Sequence, residues 1–196
     1  MADTRDRIIV ATNELFRRQG YNGTTLSQIS KAAEATTGSI YHFFPGGKEA
    51  LATTVIESTG AIYRELFVSI VTQAQDPAAA YADFFAGAAA VLKESDFIDP
   101  CPIGTVAREV ANTSEPLRIA AKTAFDSWID AATQHLTGAA VVPEDAERLA
   151  HVFVATVEGM FVLCRTQRST APLQSAGVVF SRLVAQAINE AAATHR

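Results

Sequence analysis

The sequence predicts an all-α protein: a three-helix helix-turn-helix head followed by a larger helical domain, about nine helices in total. Three observations carry this. Apolar residues recur at three- and four-residue spacing in nearly every segment, while strand-like alternation is absent. Alanine is abundant, and proline and glycine gather between the periodic segments, where they punctuate helices. Of the 196 residues 48% are hydrophobic, enough for one sizeable core or two small ones.

The elements follow in order. Residues 5–19 place Ile8, Ala11, Leu15 and Phe16 on one face, with Asp3 or Thr4 expected to cap the start and Gly20 to end the helix. Thr25 and Gln28 have capping-box spacing ahead of a second helix with a narrow apolar face of Ile29, Ala32 and Ala33. A break at Glu34-Ala35 and a fresh cap at Thr36 begin a third, short helix, stopped by Pro45-Gly46-Gly47. A fourth helix runs from Lys48 to about Gln73 with Ala52, Val55, Ile62, Leu66 and Phe67 inward. Asp76-Pro77 starts a fifth, carrying Tyr81, Phe84, Phe85 and Ala88 to about Lys93. A sixth lies near 103–111. Ser114-Glu115-Pro116 opens a seventh, with Ile119, Phe125, Trp128 and Ile129, that reaches about Leu136. Residues 144–167 carry Leu149, Val152, Phe153, Thr156, Val157, Met160, Phe161 and Cys164 on one stripe, and Val154, Ala155, Val162 and Leu163 elsewhere. A helix so apolar all round is expected to be buried all round. After a break at 169–172, Ala176, Val179, Phe180, Leu183, Val184, Ala187, Ile188 and Ala191 repeat at helical spacing.

The third helix is the most informative. Ile40, Phe43 and Phe44 cluster on one side; Gly38 and His42 fall opposite, flanked by Ser39 and Tyr41. That outer face is polar without being charged, and suits close contact with DNA. Two short helices propped on a longer first one form a helix-turn-helix, whose second member enters the major groove. Glycine inside a helix costs about 1 kcal/mol relative to alanine, which close backbone approach to a phosphate or base would explain at Gly38. Lys48 stands in a first helical turn, where a cation is unfavourable unless an anion is present; a DNA phosphate would supply one. The hydroxyls of Thr25, Thr36, Ser39 and Tyr41 are groups that position a protein on a phosphate backbone. The plain readings stay open beside these: Thr25 and Thr36 are caps with or without DNA, Tyr41 is an ordinary half-buried tyrosine, His42 a solvated histidine, and Lys48 a surface lysine.

Residues 5–51 resemble the DNA-binding domain of the TetR family of bacterial transcriptional repressors. The resemblance rests on Ala11, Leu15, Phe16, Gly20, Tyr21, Gly23-Thr24-Thr25, Ile29, Ala32-Ala33, Gly38-Ser39-Ile40-Tyr41, Phe43-Phe44 and Lys48-Glu49-Ala50-Leu51. Phe44-Pro45-Gly46-Gly47-Lys48 and Asp99-Pro100-Cys101-Pro102-Ile103-Gly104 resemble the subgroup of lincomycin-resistance and quercetin-dioxygenase operon repressors. At Glu34-Ala35-Thr36-Thr37 the chain departs from the family, which more often has a glycine, an apolar residue, a serine and a variable, frequently basic, residue. The resemblance implies a DNA-binding domain over 1–47, a ligand-binding and dimerisation domain over 48–196, and a homodimer through the last two helices. Thr25, Thr36, Thr37, Gly38, Ser39, Tyr41, His42 and Lys48 are then the candidate DNA contacts.

Charge tempers this reading. The net charge is −5, but residues 1–50 hold six Lys/Arg against five Asp/Glu, so the acidity lies in the remainder. Affinity would rest on a few contacts doubled by dimerisation, with a shallow salt dependence. Cys101 and Cys164 lack metal-ligand spacing and are expected to be reduced and buried; Cys101, beside prolines at a helix start, is a minor candidate for oxidant sensing. No metal or other cofactor is expected. The amino-terminal stretch is charged and helical, not basic then apolar, so no cleavable signal is expected, nor a membrane span; the chain should be cytoplasmic.

The second domain is rich in aromatic rings. Phe67, Phe84, Phe85, Phe125, Trp128 and Phe153, with Cys101 and the carboxylate Glu158, are the candidate walls of a pocket for a hydrophobic or aromatic inducer; the reading of any one ring as plain core stays open beside it. Val152, Met160, Ala176, Val179, Phe180, Leu183 and Ala187 are the candidate dimer contacts, since a regular stripe on a terminal helix needs a partner. The function expected is a ligand-responsive repressor released from a palindromic double-stranded operator. Two alternatives stay open: a helical small-molecule sensor or carrier that has lost DNA binding, and an enzyme, for which no phosphate loop, nucleophile elbow or metal spacing speaks.

Overall fold

The computed structural model describes residues 3–98 and 101–194, and among these it has nine helices and no strand. They are α1 (Thr4–Gln19), α2 (Leu26–Ala32), α3 (Thr37–Phe43), α4 (Gly47–Gln73), α5 (Pro77–Glu94), α6 (Pro102–Val110), α7 (Glu115–Gly138), α8 (Pro143–Gln167) and α9 (Ala171–Thr194). Most starts have a local cause. The Thr25–Gln28 capping box is complete, and Thr36 Oγ1 accepts the Ser39 N–H at 3.0 Å. Asp76 accepts from the Ala78 N–H ahead of Pro77, and Cys101 Sγ accepts from the Gly104 N–H ahead of Pro102. The cap expected on α1 is not made: Asp3 holds the N-cap position, but its side chain makes no capping hydrogen bond. Of the 99–104 motif, Asp99 and Pro100 lie outside the described residues.

The chain forms two compact units. One comprises Met1–Ala61 with Cys101–Ala124, the other Ile62–Pro100 with Phe125–Arg196. Compactness therefore does not follow the sequential division after residue 47, because α4 runs on unbroken and α6 packs against α1. In the first unit Ile8, Phe16, Ile29, Ile40, Phe44, Leu51 and Val55 are buried beside Ile103, Val106 and Leu117. Each such side chain contributes about 1.5–3 kcal/mol on leaving water. At Gly60 a β-carbon would come within 2.7 Å of Ala124 Cβ, so glycine lets α4 and α7 approach there.

In the second unit α9 packs on α5 and α8. Gly177 permits the α5 contact, since a β-carbon there would lie 3.0 Å from Phe85 Cβ. Three residues expected inward are exposed: Ile62 and Leu66 of α4, and, in the first unit, Ile119 of α7. Nor is α8 covered all round. Ala146, Ala150, Phe153, Val157, Phe161 and Cys164 are buried, while Val152, Ala155, Val162 and Leu163 are exposed. By length and composition α8 is apolar enough to cross a membrane, a test that core helices of soluble proteins also pass.

Candidate nucleic-acid interface

The recognition segment begins with the turn between α2 and α3. The Glu34 N–H donates to Lys31 O and the Ala35 N–H to Ser30 O, closing α2 in a Schellman motif with Glu34 at the left-handed position, φ +49°. Glycine normally takes that position, so this departure from the family pattern leaves a β-carbon on a strained backbone. Arg7 of α1 braces the turn, its Nε donating to Ala33 O at 3.1 Å and its Nη2 to Glu34 O at 3.4 Å.

From this turn α3 projects the face that its periodicity predicts. Ile40 is buried, whereas Thr37, Gly38, Tyr41 and His42 are exposed and Ser39 is half-buried. Tyr41 is 51% exposed, so its ring and hydroxyl are open to a partner. Gly38 has no internal reason to be glycine: a β-carbon there would meet only Thr36 Oγ1, at 3.6 Å. Thr36 and Ser39 share a hydrogen bond between their hydroxyls at 2.9 Å, and Thr25 stands exposed at the start of α2. His42 stacks edge-on against Phe43.

Lys48 is half-buried, with Nζ 4.0 Å above the Tyr21 ring. Burial holds its pKa below the usual lysine value, and the Glu109 carboxylate opposes that shift. Tyr21 is raised, by burial first and by Glu49 second. A cation in the first turn of α4 is thus accommodated by a ring face and the Glu109 carboxylate, a second account of Lys48 beside the phosphate one. Other head cations are engaged as well: Arg17 and Arg18 pair with Glu14, and Arg5 lies over the Phe44 ring.

In the second unit, Phe67, Phe84, Phe85 and Phe153 of the expected pocket do meet. With Tyr81 and Phe180 they form one cluster whose ring centroids are 5.0–6.3 Å apart. Phe125 and Trp128 pair at 5.3 Å, with Tyr63 6.1 Å from Trp128. Glu158 is half-buried on α8, and Cys101 is buried in the first unit. His135 is a member that the sequence pattern does not signal. The Tyr81 hydroxyl lies 3.3 Å from His135 Nδ1; burial pushes the phenol above its usual range and the imidazole below its own.

Comparison with known proteins accords with this geometry. Residues 8–55 match the bacterial regulatory proteins of the tetR family, and residues 77–179 match the transcriptional regulator LmrA/YxaF-like C-terminal domain. The HTH-type transcriptional regulator YxaF of Bacillus subtilis is 34% identical over 171 residues, covering 87% of this chain and 90% of that one. The chain belongs to the TetR family. LmrA of the same organism, also an HTH-type transcriptional regulator, is 32% identical over 87% of this chain and 91% of its own. The TetR-family regulator CifR, solved as a cysteine mutant on 26-bp operator DNA, shares the fold with a TM-score of 0.79 at 19% identity, covering 93% of this chain and 97% of that one.

The candidate dimer contacts of this TetR-family protein divide in two. Val152, Val179 and Leu183 are exposed at 49, 57 and 40%, and Met160 and Ala187 are half-buried. Ala176 and Phe180 are instead buried inside the second unit, where Phe180 stacks on Tyr81 and Phe153; α9 turns those two positions toward α5 and α8. The exposed stripe of α9 is Val178, Val179 and Leu183, accompanied on α8 by Val152, Val162 and Leu163. Gly159, also exposed on α8, has open space where a β-carbon would be.

Proposed function

We propose that this TetR-family regulator is a homodimeric repressor, released from a palindromic operator by a hydrophobic or aromatic small molecule. The observation that carries the DNA reading is the outer face of α3: exposed, uncharged, aromatic, and containing a glycine that no internal contact requires. Thr37, Gly38, Ser39, Tyr41 and His42 meet the groove, and Thr25, Thr36 and Lys48 hold phosphates. Residues 1–47 serve as the DNA-binding domain and 48–196 as the ligand-binding and dimerisation domain, with α4 beginning at the boundary between them. Exposed apolar side chains on α8 and α9 support a dimer through those helices, which places two heads on two half-sites. The reading includes no catalytic step, and acting on chromosomal DNA places the protein in the cytoplasm.

The aromatic cluster supports the choice of ligand class. An inducer entering among Phe67, Phe84, Phe85 and Phe153, with Phe125, Trp128 and Glu158 as further candidates, must replace existing ring contacts. A flat aromatic molecule does so at least cost. By linkage, operator and inducer weaken each other's binding by the same factor.

The deciding experiment selects fragments of the source organism's DNA on purified protein, then titrates the recovered fragment against salt. Wild type is expected to retain a palindromic site. Tyr41→Ala should weaken it at least tenfold, a loss of about 1.4 kcal/mol; Lys48→Ala should lower the salt slope by about one phosphate. A folded dimer that retains no fragment moves the assignment to a sensor or carrier without DNA binding.

A further inference from the structure

The first unit contains a second set of contacts, away from the outer face of α3. On α6, Glu109 Oε2 accepts the Asn22 backbone N–H at 2.7 Å. Its Oε1 fills the space beside Gly20 that a β-carbon would take, and Gly20 has φ +75°, a backbone conformation that favours glycine. Five residues on, Ser114 Oγ donates to Glu49 Oε2 at 2.8 Å in the first turn of α4. The end of α6 and the turn after it thus hold two points of the head: the α1–α2 loop and the start of α4. Tyr21 and Lys48, one from each point, stack on each other.

Local folding needs neither tie. Asn22 is exposed, so water can satisfy its N–H once the carboxylate is gone. A bond from a backbone N–H to an ionised carboxylate is nonetheless among the stronger hydrogen bonds, and it fixes direction as well as distance. It lies three residues before the Thr25 cap. Resting on the DNA-binding reading above, we propose that Glu109 is a positioning residue for operator binding: it holds the α1–α2 loop so that Thr25 and Lys48 present their phosphate-binding groups in register with α3.

The test uses full-length protein and the fragment recovered by selection. Glu109→Gln keeps an oxygen for the Asn22 N–H, whereas Glu109→Ala removes it. The alanine variant is expected to bind about tenfold more weakly and the glutamine variant within about threefold of wild type. Amide exchange at Asn22 should speed up in the alanine variant alone. Ser114→Ala, which removes the other tie, should weaken binding in the same direction and gives a second reading if Glu109→Ala folds poorly. Equal binding by wild type and Glu109→Ala overturns the proposal and leaves the DNA reading intact. Tighter binding by both Glu109 variants overturns it as well, because the carboxylate would then compete with phosphate. Failure of folded wild-type protein to retain any fragment sinks the DNA reading, and this proposal with it.

Discussion

Replacing Glu34 by glycine tests the strained turn in front of α3. Glu34 holds φ +49° at the end of α2, where a β-carbon crowds the backbone. The left-handed conformation costs an L-residue about 1–2 kcal/mol. Glycine escapes that cost but adds entropy to the unfolded chain, which offsets about 0.4–1 kcal/mol. Glu34→Gly should therefore stabilise the protein by about 0.5–1 kcal/mol, a rise in Tm of about 1–4 °C for a chain of this size. The Arg7 bonds go to the backbone carbonyls of Ala33 and Glu34 and survive the change. Loss of a carboxylate beside the recognition helix should also strengthen DNA binding, more so at low salt. Glu34→Ala separates the two effects, since it loses the charge but keeps the β-carbon. Thermal unfolding at fixed protein concentration and DNA titration at two salt concentrations read both. A glycine variant no more stable than the alanine one would refute the strain argument.

Three other outcomes follow from the second unit. Phe153 touches the rings of Phe67, Tyr81, Phe84, Phe85 and Phe180, so Phe153→Ala should cost about 3–5 kcal/mol, read as a lower urea midpoint. Burial lowers the His135 pKa below its usual 6.5. The unfolded chain then takes up the proton first as pH falls: this stability is intact above the unfolded value and is lost on acidification toward the folded one. Unfolding of wild type and His135→Gln between about pH 7 and pH 5 should show a shallower slope in the variant. Leu183→Arg, placing a charge in the exposed α9 stripe, should turn a dimer into a monomer by sedimentation while the helical circular dichroism is retained.

Much of the head was readable residue by residue. Thr25 with Gln28, Thr36, and Pro45-Gly46-Gly47 signal helix ends through bonds spanning three or four residues, and the structure makes those caps. Gly20 was expected as a helix end, but the Glu109 carboxylate behind it, 89 positions away, left no trace in the local pattern. The aromatic cluster was half legible: Phe67, Phe84, Phe85 and Phe153 were grouped correctly. Phe180 reads from sequence as a dimer contact because α9 is apolar on more than one side. His135 carried no periodic signal at all.

The sequence by itself determined the helices, their order and the polar face of α3. These follow from backbone hydrogen bonding, capping and apolar spacing, all of which act within one or two turns. Only the tertiary structure decided which side of an apolar helix is covered, leaving Val152, Val179 and Leu183 outward while Phe180 turned in. It also decided that α6 and the first half of α7 share a compact unit with the head, and that Glu109 meets Asn22. Those outcomes depend on how segments tens of residues apart pack, and an amphipathic pattern specifies that a face is buried without specifying against what.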